Sequence, residues 1–270
     1  MTRQLFNHDL RLKRASEHLQ SIEAEVRRWR EEHPYRTYVK FDEQSGAKSI
    51  IAEVFWQPRA ELGLLIGDCI HNLRSTLDNL VYDLARANRN GFLSRSIARD
   101  SQFPIFTSEA KFLSKGMRQI RGVAPVAKTI IEGLQPYRRG DRKSAHQLWM
   151  LNSLANSDKH RLLPTTAAQT ASAAGFILPS GPDISDIRMH VGPVDTGTVL
   201  AEYTFAGPPG TEMDVYPNFL LDVGLRQGLP LPLLPEDIIR TMPVVQLLNW
   251  LRRYIEWRVV SPLRLFLSRH

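Results

Sequence analysis

The stretch GDCIHNLRSTLDNLVYDLA, residues 67–85, constrains the fold more than any other part of the chain. Leu62, Leu65, Ile66, Cys69, Ile70, Leu73, Leu77, Leu80, Val81 and Leu84 recur at helical spacing. At about 100° per residue, Asp68, His71, Asn72, Arg74, Ser75, Asp78, Asn79 and Tyr82 fall together in an arc of about 160°. Neither Lys nor Glu occurs between Leu62 and Ala85. Such a helix has one face for a core. Its other face carries short groups that donate and accept at close range, which suits a fixed hydrogen-bond network or a ligand cleft rather than a solvated surface.

The rest of the pattern surrounds that helix. Residues 7–32 read as a long amphipathic helix with Leu12, Leu19, Ile22 and Val26 on its stripe, ended by Pro34. YRTYVKFD and KSIIAEVFW flank EQSG and predict an N-terminal β-hairpin at 35–57. Pro58 opens the polar-faced helix, which runs to about residue 88. Shorter helices are expected near 107–115 and 123–134, with FPIF as a buried connector, and another follows Asp141 to about residue 162. From Pro164 to about Leu229, Gly and Pro clusters separate AGFIL, DIRMHV, TVLAEYTFA and FLLDVGL, short strands of an antiparallel sheet. A last helix is predicted over 236–260, with Val244, Leu248, Leu251, Ile255 and Val259 on one stripe and Pro262 interrupting it. The fold class expected is α+β: a mainly helical antiparallel bundle with an N-terminal β-hairpin and an inserted antiparallel sheet at about 164–229. Residues 1–270 form a single domain in this reading. Its helical core comprises about 7–32, 58–88, 107–162 and 236–260.

A second helix offers a partner for the polar face. In RKSAHQLWMLNSLANSDKHRLL, Asn152, Asn156 and His160 are spaced i, i+4, i+8, with Lys159 alongside, while Leu148, Leu151, Ala155 and Leu162 make the adjoining apolar strip. Antiparallel packing would bring His71, Arg74 and Asp78 toward Asn152, Asn156 and His160. Such a cleft would be lined also by Asn72, Asn79 and Lys159. The alternative is structural: Arg74 pairs with Asp78 at i+4 and the Asn residues tie loops to the bundle. The loop YRRGDRK, 137–143, places Arg138 and Arg139 where they could draw phosphate toward the second helix, unless it is only a solvated loop. The C-terminal run interleaves Trp250, Tyr254 and Trp257 with Arg252, Arg253, Arg258, Arg264 and Arg269. Base stacking is one use for it, and a homodimer interface through the C-terminal helix is the one favoured.

Composition bounds the function. Of 270 residues, 43% are hydrophobic and 23% charged, as in ordinary globular domains, and the net charge of +7 leans toward an anionic partner such as RNA. The N-terminus lacks an apolar leader segment and no window is apolar enough to cross a membrane, so a cytoplasmic protein without a membrane partner is expected. The single cysteine, Cys69, lies on the apolar face and reads as inert core. His71, Asp78 and His160 would suit a metal only if they converged, and no compact ligand motif, phosphate loop or nucleophile elbow occurs. No metal or cofactor is expected.

HNLRSTLDNLVYDL, followed far downstream by LWMLNSLANSDKHRLL, resembles a family of uncharacterised bacterial proteins of actinomycete type that carry similar HNLRSxLD and NxDKHR segments. A more distant resemblance is to HEPN domains, helical bundles often found as RNA-cleaving toxins and phage-defence effectors. Their signature is Arg, a spacer of four to six residues, and His. The resemblance implies metal-independent chemistry in which the His takes a proton from a ribose 2′-hydroxyl while the Arg steadies the attacked phosphate. Arg74 matches the Arg, but Asn79 stands where the base belongs, and an amide cannot accept that proton. His71, one turn before Arg74, or His160 would have to replace it, with Asp78 orienting them. The same loose pattern occurs at 3–8, 28–33 and 139–146. The resemblance therefore implies a divergent HEPN-like, RNA-directed protein, as a metal-independent endoribonuclease. The alternative is a non-catalytic scaffold or partner-binding protein whose polar helix faces form a structural network.

Overall fold

The expected stripe Leu12, Leu19, Ile22 and Val26 is buried along one face of helix α1 (Asn7–Glu31), together with Ala15 and Trp29. In the computed structural model, which describes residues 6–158, 163–169, 184–205, 221–225 and 242–267, that face packs antiparallel on α2 (Glu61–Asn88). His8 meets Asp83, Ala15 meets Cys69, and Trp29 shares a groove with Leu62. The apolar face of α2 is buried almost end to end, from Leu62 to Ala85.

A short helix α3 (Arg95–Asp100), which the sequence reading lacks, starts where Ser94 Oγ accepts the Ile97 amide. The FPIF connector then runs extended at 103–106, with Phe103 fully buried. Gln135 fastens it from below. Its Oε1 accepts the Phe106 amide at 3.1 Å, and its Nε2 donates to the carbonyls of Pro104 at 2.8 Å and Ile131 at 3.0 Å. The helix expected near 107–115 is α4 (Glu109–Lys111), a π-helical turn (Phe112–Gly116) and α5 (Met117–Gln119) in one run. Next come α6 (Pro125–Gly133), a 3-10 segment (Pro136–Ala145) and α7 (Gln147–Asp158). The helix expected from Asp141 thus begins at Gln147. Gly140, with φ 54°, kinks the preceding turn and holds it out of α geometry.

Strands β1 (Tyr35–Phe41) and β2 (Ala47–Val54) form the expected hairpin, with Tyr38 opposite Ile51. The hairpin is continuous with the later strands rather than separate from them. β4 (Ile184–Met189) and β6 (Val199–Phe205) extend it into a four-stranded antiparallel sheet, order β1-β2-β6-β4, with Ile50 opposite Ala201. A second sheet, order β5-β3-β7, joins β3 (Thr165–Gln169), β5 (Gly192–Pro193) and β7 (Asp222–Leu225). Gln57 links the strands to α2. Its Nε2 donates to the Val194 carbonyl and Asp195 Oδ1, while its Oε1 accepts the Ala167 amide at 2.7 Å. Tyr35 of β1 ties the first sheet to the residue before Asp222 by accepting the Leu221 amide through its hydroxyl at 2.9 Å. Ile50, Ala52, Leu200 and Val223 enter the same apolar core as the helices. The expected strand AGFIL lies outside the described residues.

The C-terminal helix, α8 (Val244–Tyr254), buries Val244, Leu248 and Leu251. It continues through a π-helical segment (Ile255–Val260) into α9 (Ser261–Arg264), so Pro262 does not interrupt it. The wider π turn just upstream has already left the i→i−4 pattern that a proline ring would break. Among the described residues no helix is long and apolar enough to cross a membrane.

Gln135→Leu keeps the bulk of a buried side chain while stranding the Phe106 amide and the Pro104 carbonyl. It should cost about 2 kcal/mol or more, measured as a lower urea midpoint at unchanged slope.

Candidate functional site

Three of the polar residues on α2 turn back onto their own helix. Asn72 Nδ2 donates to the Asp68 carbonyl, Thr76 Oγ1 to the Asn72 carbonyl and Asn79 Nδ2 to the Ser75 carbonyl, each at 2.8 Å. Short amide and hydroxyl side chains reach the preceding turn, and long charged ones do not. Asn72 also accepts Arg11 Nη1 from α1 at 3.4 Å.

Arg74 and Asp78 act together on the connector. Arg74 Nη2 donates to the Phe103 carbonyl and Asp78 Oδ1 accepts the Phe103 amide, both at 2.9 Å. Both polar groups of one buried backbone unit are satisfied by side chains one turn apart. Arg74 Nη1 lies 3.0 Å from Asp78 Oδ1, an ion pair that is off the line of a good hydrogen bond. The Arg74 side chain is 18% exposed, and burial lowers its pKa against the opposing pull of Asp78. Its guanidinium is thereby engaged inside the protein.

His71 stands apart from this clamp. It is exposed on α2, with Ser75 Oγ 3.4 Å from its Nε2. Its neighbour is Asp158 at the end of α7, a residue the sequence reading did not select. Asp158 lies against the α2 backbone because Gly67 leaves it room: a Cβ there would come within 2.3 Å of Asp158 Oδ1. Burial, then the negative charge of Asp68, raises the Asp158 pKa, while His71 lowers it. His71, Asp68 and Asp158 therefore form a partly open acid–base cluster. Of the α7 residues expected opposite, Asn152 is half-buried and Asn156 exposed. Lys159 and His160 lie outside the described residues. Arg138 is exposed, pairs with Glu132 and stacks on Tyr137; Arg139 is exposed near His146 and Tyr254. Among the described residues no three His, Cys, Asp or Glu side chains gather as a metal site.

Two histidines that match the loose Arg–His spacing have core positions. His8, fully buried, has Nδ1 2.8 Å from Asp83 Oδ2. The signal for it was Asp83 itself, a carboxylate between the apolar residues Val81 and Leu84, which requires an internal partner. His146 is buried at the start of α7. Its Nδ1 accepts the Leu148 amide at 3.1 Å and its Nε2 lies 3.4 Å from the Tyr254 hydroxyl. Burial and then Arg139 push its pKa down to about 4. Cys69, pushed up to about 12 by burial and hydrogen-bonded to the Ala15 carbonyl, is the inert core thiol expected.

No family model, no curated protein and no solved structure matches the chain.

An unfolded histidine titrates near 6.5 and His146 in the fold at about 4. Between those values only the unfolded chain takes up this proton. The His146 contribution is complete above about pH 6.5 and is lost as pH falls toward about 4. His146→Asn retains an acceptor for the Leu148 amide without the titration. Its thermal midpoint should fall less than that of the wild type between about pH 7 and about pH 5, as followed by circular dichroism.

Proposed function

We propose that the chain is a non-catalytic binding protein whose HEPN-like helix pair is a structural frame. The observation that carries this reading is the Arg74–Asp78–Phe103 clamp, in which the guanidinium that would meet phosphate holds a backbone carbonyl instead. Asn79 supports it further, because its amide caps the Ser75 carbonyl where a HEPN base would stand. The net charge of +7 favours RNA as the partner class, while a homodimer through the C-terminal helix is the competing use of that surface.

A second reading is a metal-independent endoribonuclease of toxin or phage-defence type. The observation that favours it is His71, exposed beside Asp158, whose raised pKa suits a proton donor close to a histidine base.

Metal-free incubation with labelled total RNA and tRNA separates the two readings. Wild type should leave both intact, and Arg74→Ala should lose about 2 kcal/mol of stability, or roughly 4 °C in melting temperature. Cutting by wild type that disappears in folded His71→Ala would instead establish the nuclease.

A further inference from the structure

Two basic segments far apart in sequence meet at the C-terminal helix. Asn249, Trp250, Arg253, Tyr254, Trp257 and Arg258 line an open groove of about 420 Å³ along α8 and its π-helical extension. Arg139, from the 3-10 segment, acts electrostatically on Tyr254 together with Arg258, and also on His146 beneath it. YRRGDRK and the Trp/Arg run, separate features of the sequence, are thus neighbours in the fold.

The groove's chemistry is specific. Trp257 is 57% exposed, and the Arg253 guanidinium lies 4.3 Å from its ring centroid, so an aromatic–cation stack stands preformed at the surface. Arg252 is engaged by Glu256 and Asn249, on α8 and its extension. Among the described residues, the lining of the groove includes Arg253 and Arg258 and no acid. The other large groove, beside Trp29 and Trp56, differs in this respect. There Glu25, Glu32 and Glu61 accompany Arg28 and Arg59, so its cations are already balanced.

A surface that combines flat aromatic faces with unbalanced guanidinium groups fits a ligand that alternates flat rings with negative charges. A second copy of this chain fits poorly. It would carry the same two arginines onto the same face, with no acid among the described lining residues to receive them. We propose that the groove formed by Trp250, Arg253, Trp257 and Arg258 holds a single-stranded nucleic acid. Bases stack on Trp257 and the arginines take the phosphates. The proposal rests on the reading of the chain as a binding protein and adds the partner and the surface. It does not involve the His71 cluster.

Fluorescence anisotropy with a short labelled RNA strand tests it on the full-length chain, alongside the same sequence as single-stranded DNA, as duplex, and with free ATP as competitor. Wild type should bind the single strands and prefer them to duplex. Trp257→Ala should weaken binding fivefold or more, and Arg258→Ala should weaken it and lower the salt slope by about one. Arg28→Ala, on the other groove, should bind as wild type does; an equal loss there would reduce the effect to general surface charge and overturn the proposal. Absence of strand binding, competition by free ATP as strong as by the strand, or a concentration-dependent dimer abolished by Trp257→Ala would each overturn it as well. Both Trp257 and Arg258 are exposed, and unchanged melting of the variants confirms that they fold. RNA cutting in the metal-free assay is a separate readout: it would remove the non-catalytic reading while leaving the groove's affinity to be judged on its own.

Discussion

Burial of the α2 face from Leu62 to Ala85 leaves this helix a narrow open strip, at Leu64, Asp68 and His71. α1 covers it along its length, α7 reaches it through Asp158 at Gly67, and the connector carrying Phe103 closes against Arg74 and Asp78. A helix enclosed in this way cannot carry Lys or Glu toward its neighbours, because each would take a desolvated charge on a long, entropically costly stem. Asn72, Thr76 and Asn79 solve the same problem by bonding to the preceding turn. The composition of residues 62–85 therefore follows from crowding.

The clamp on Phe103 illustrates how a binding-site pattern and a structural pattern look alike in sequence. An Arg on its own suits phosphate recognition, and an Arg with an Asp one turn away suits a stretch of backbone: the guanidinium donates to a residue's carbonyl and the carboxylate accepts the same residue's amide. What separates the two is whether a backbone unit arrives to fill the gap. That unit comes from residues 101–106, and its hold is completed from the opposite side by Gln135. Polar residues from α2 and from the turn after α6 thus tie down this segment.

Periodicity made the helices legible. The stripes Leu12–Val26 and Val244–Val259 and the apolar arc of α2 are buried as their spacing predicts. Pairing between distant strands was not legible, since nothing local to YRTYVKF or VLAEYTF states that β2 and β6 are neighbours. The polar arc was visible as unusual, but its division was hidden. Asn72 and Asn79 serve their own helix, Arg74 and Asp78 serve the connector, and His71 and Asp68 remain exposed on the side of Asp158. Asp158 escaped notice because its setting depends on a glycine in another helix. Lys159 and His160, expected beside it, lie outside the described residues.

The π-helical segment at 255–260 carries a consequence for how this chain can change over time. One π turn is geometrically an inserted residue: it rotates everything after it by about 100° relative to the helix before it. Residues 244–254 and 261–267 therefore present their faces in two different phases. Leu263 enters the core, and Arg264 reaches Asp9 at the start of α1, only in the second of these phases. Lineages of this chain can exchange many side chains along the helix, but its length between Tyr254 and Ser261 is locked, because losing one residue would swing the chain's end away from the helix it closes upon.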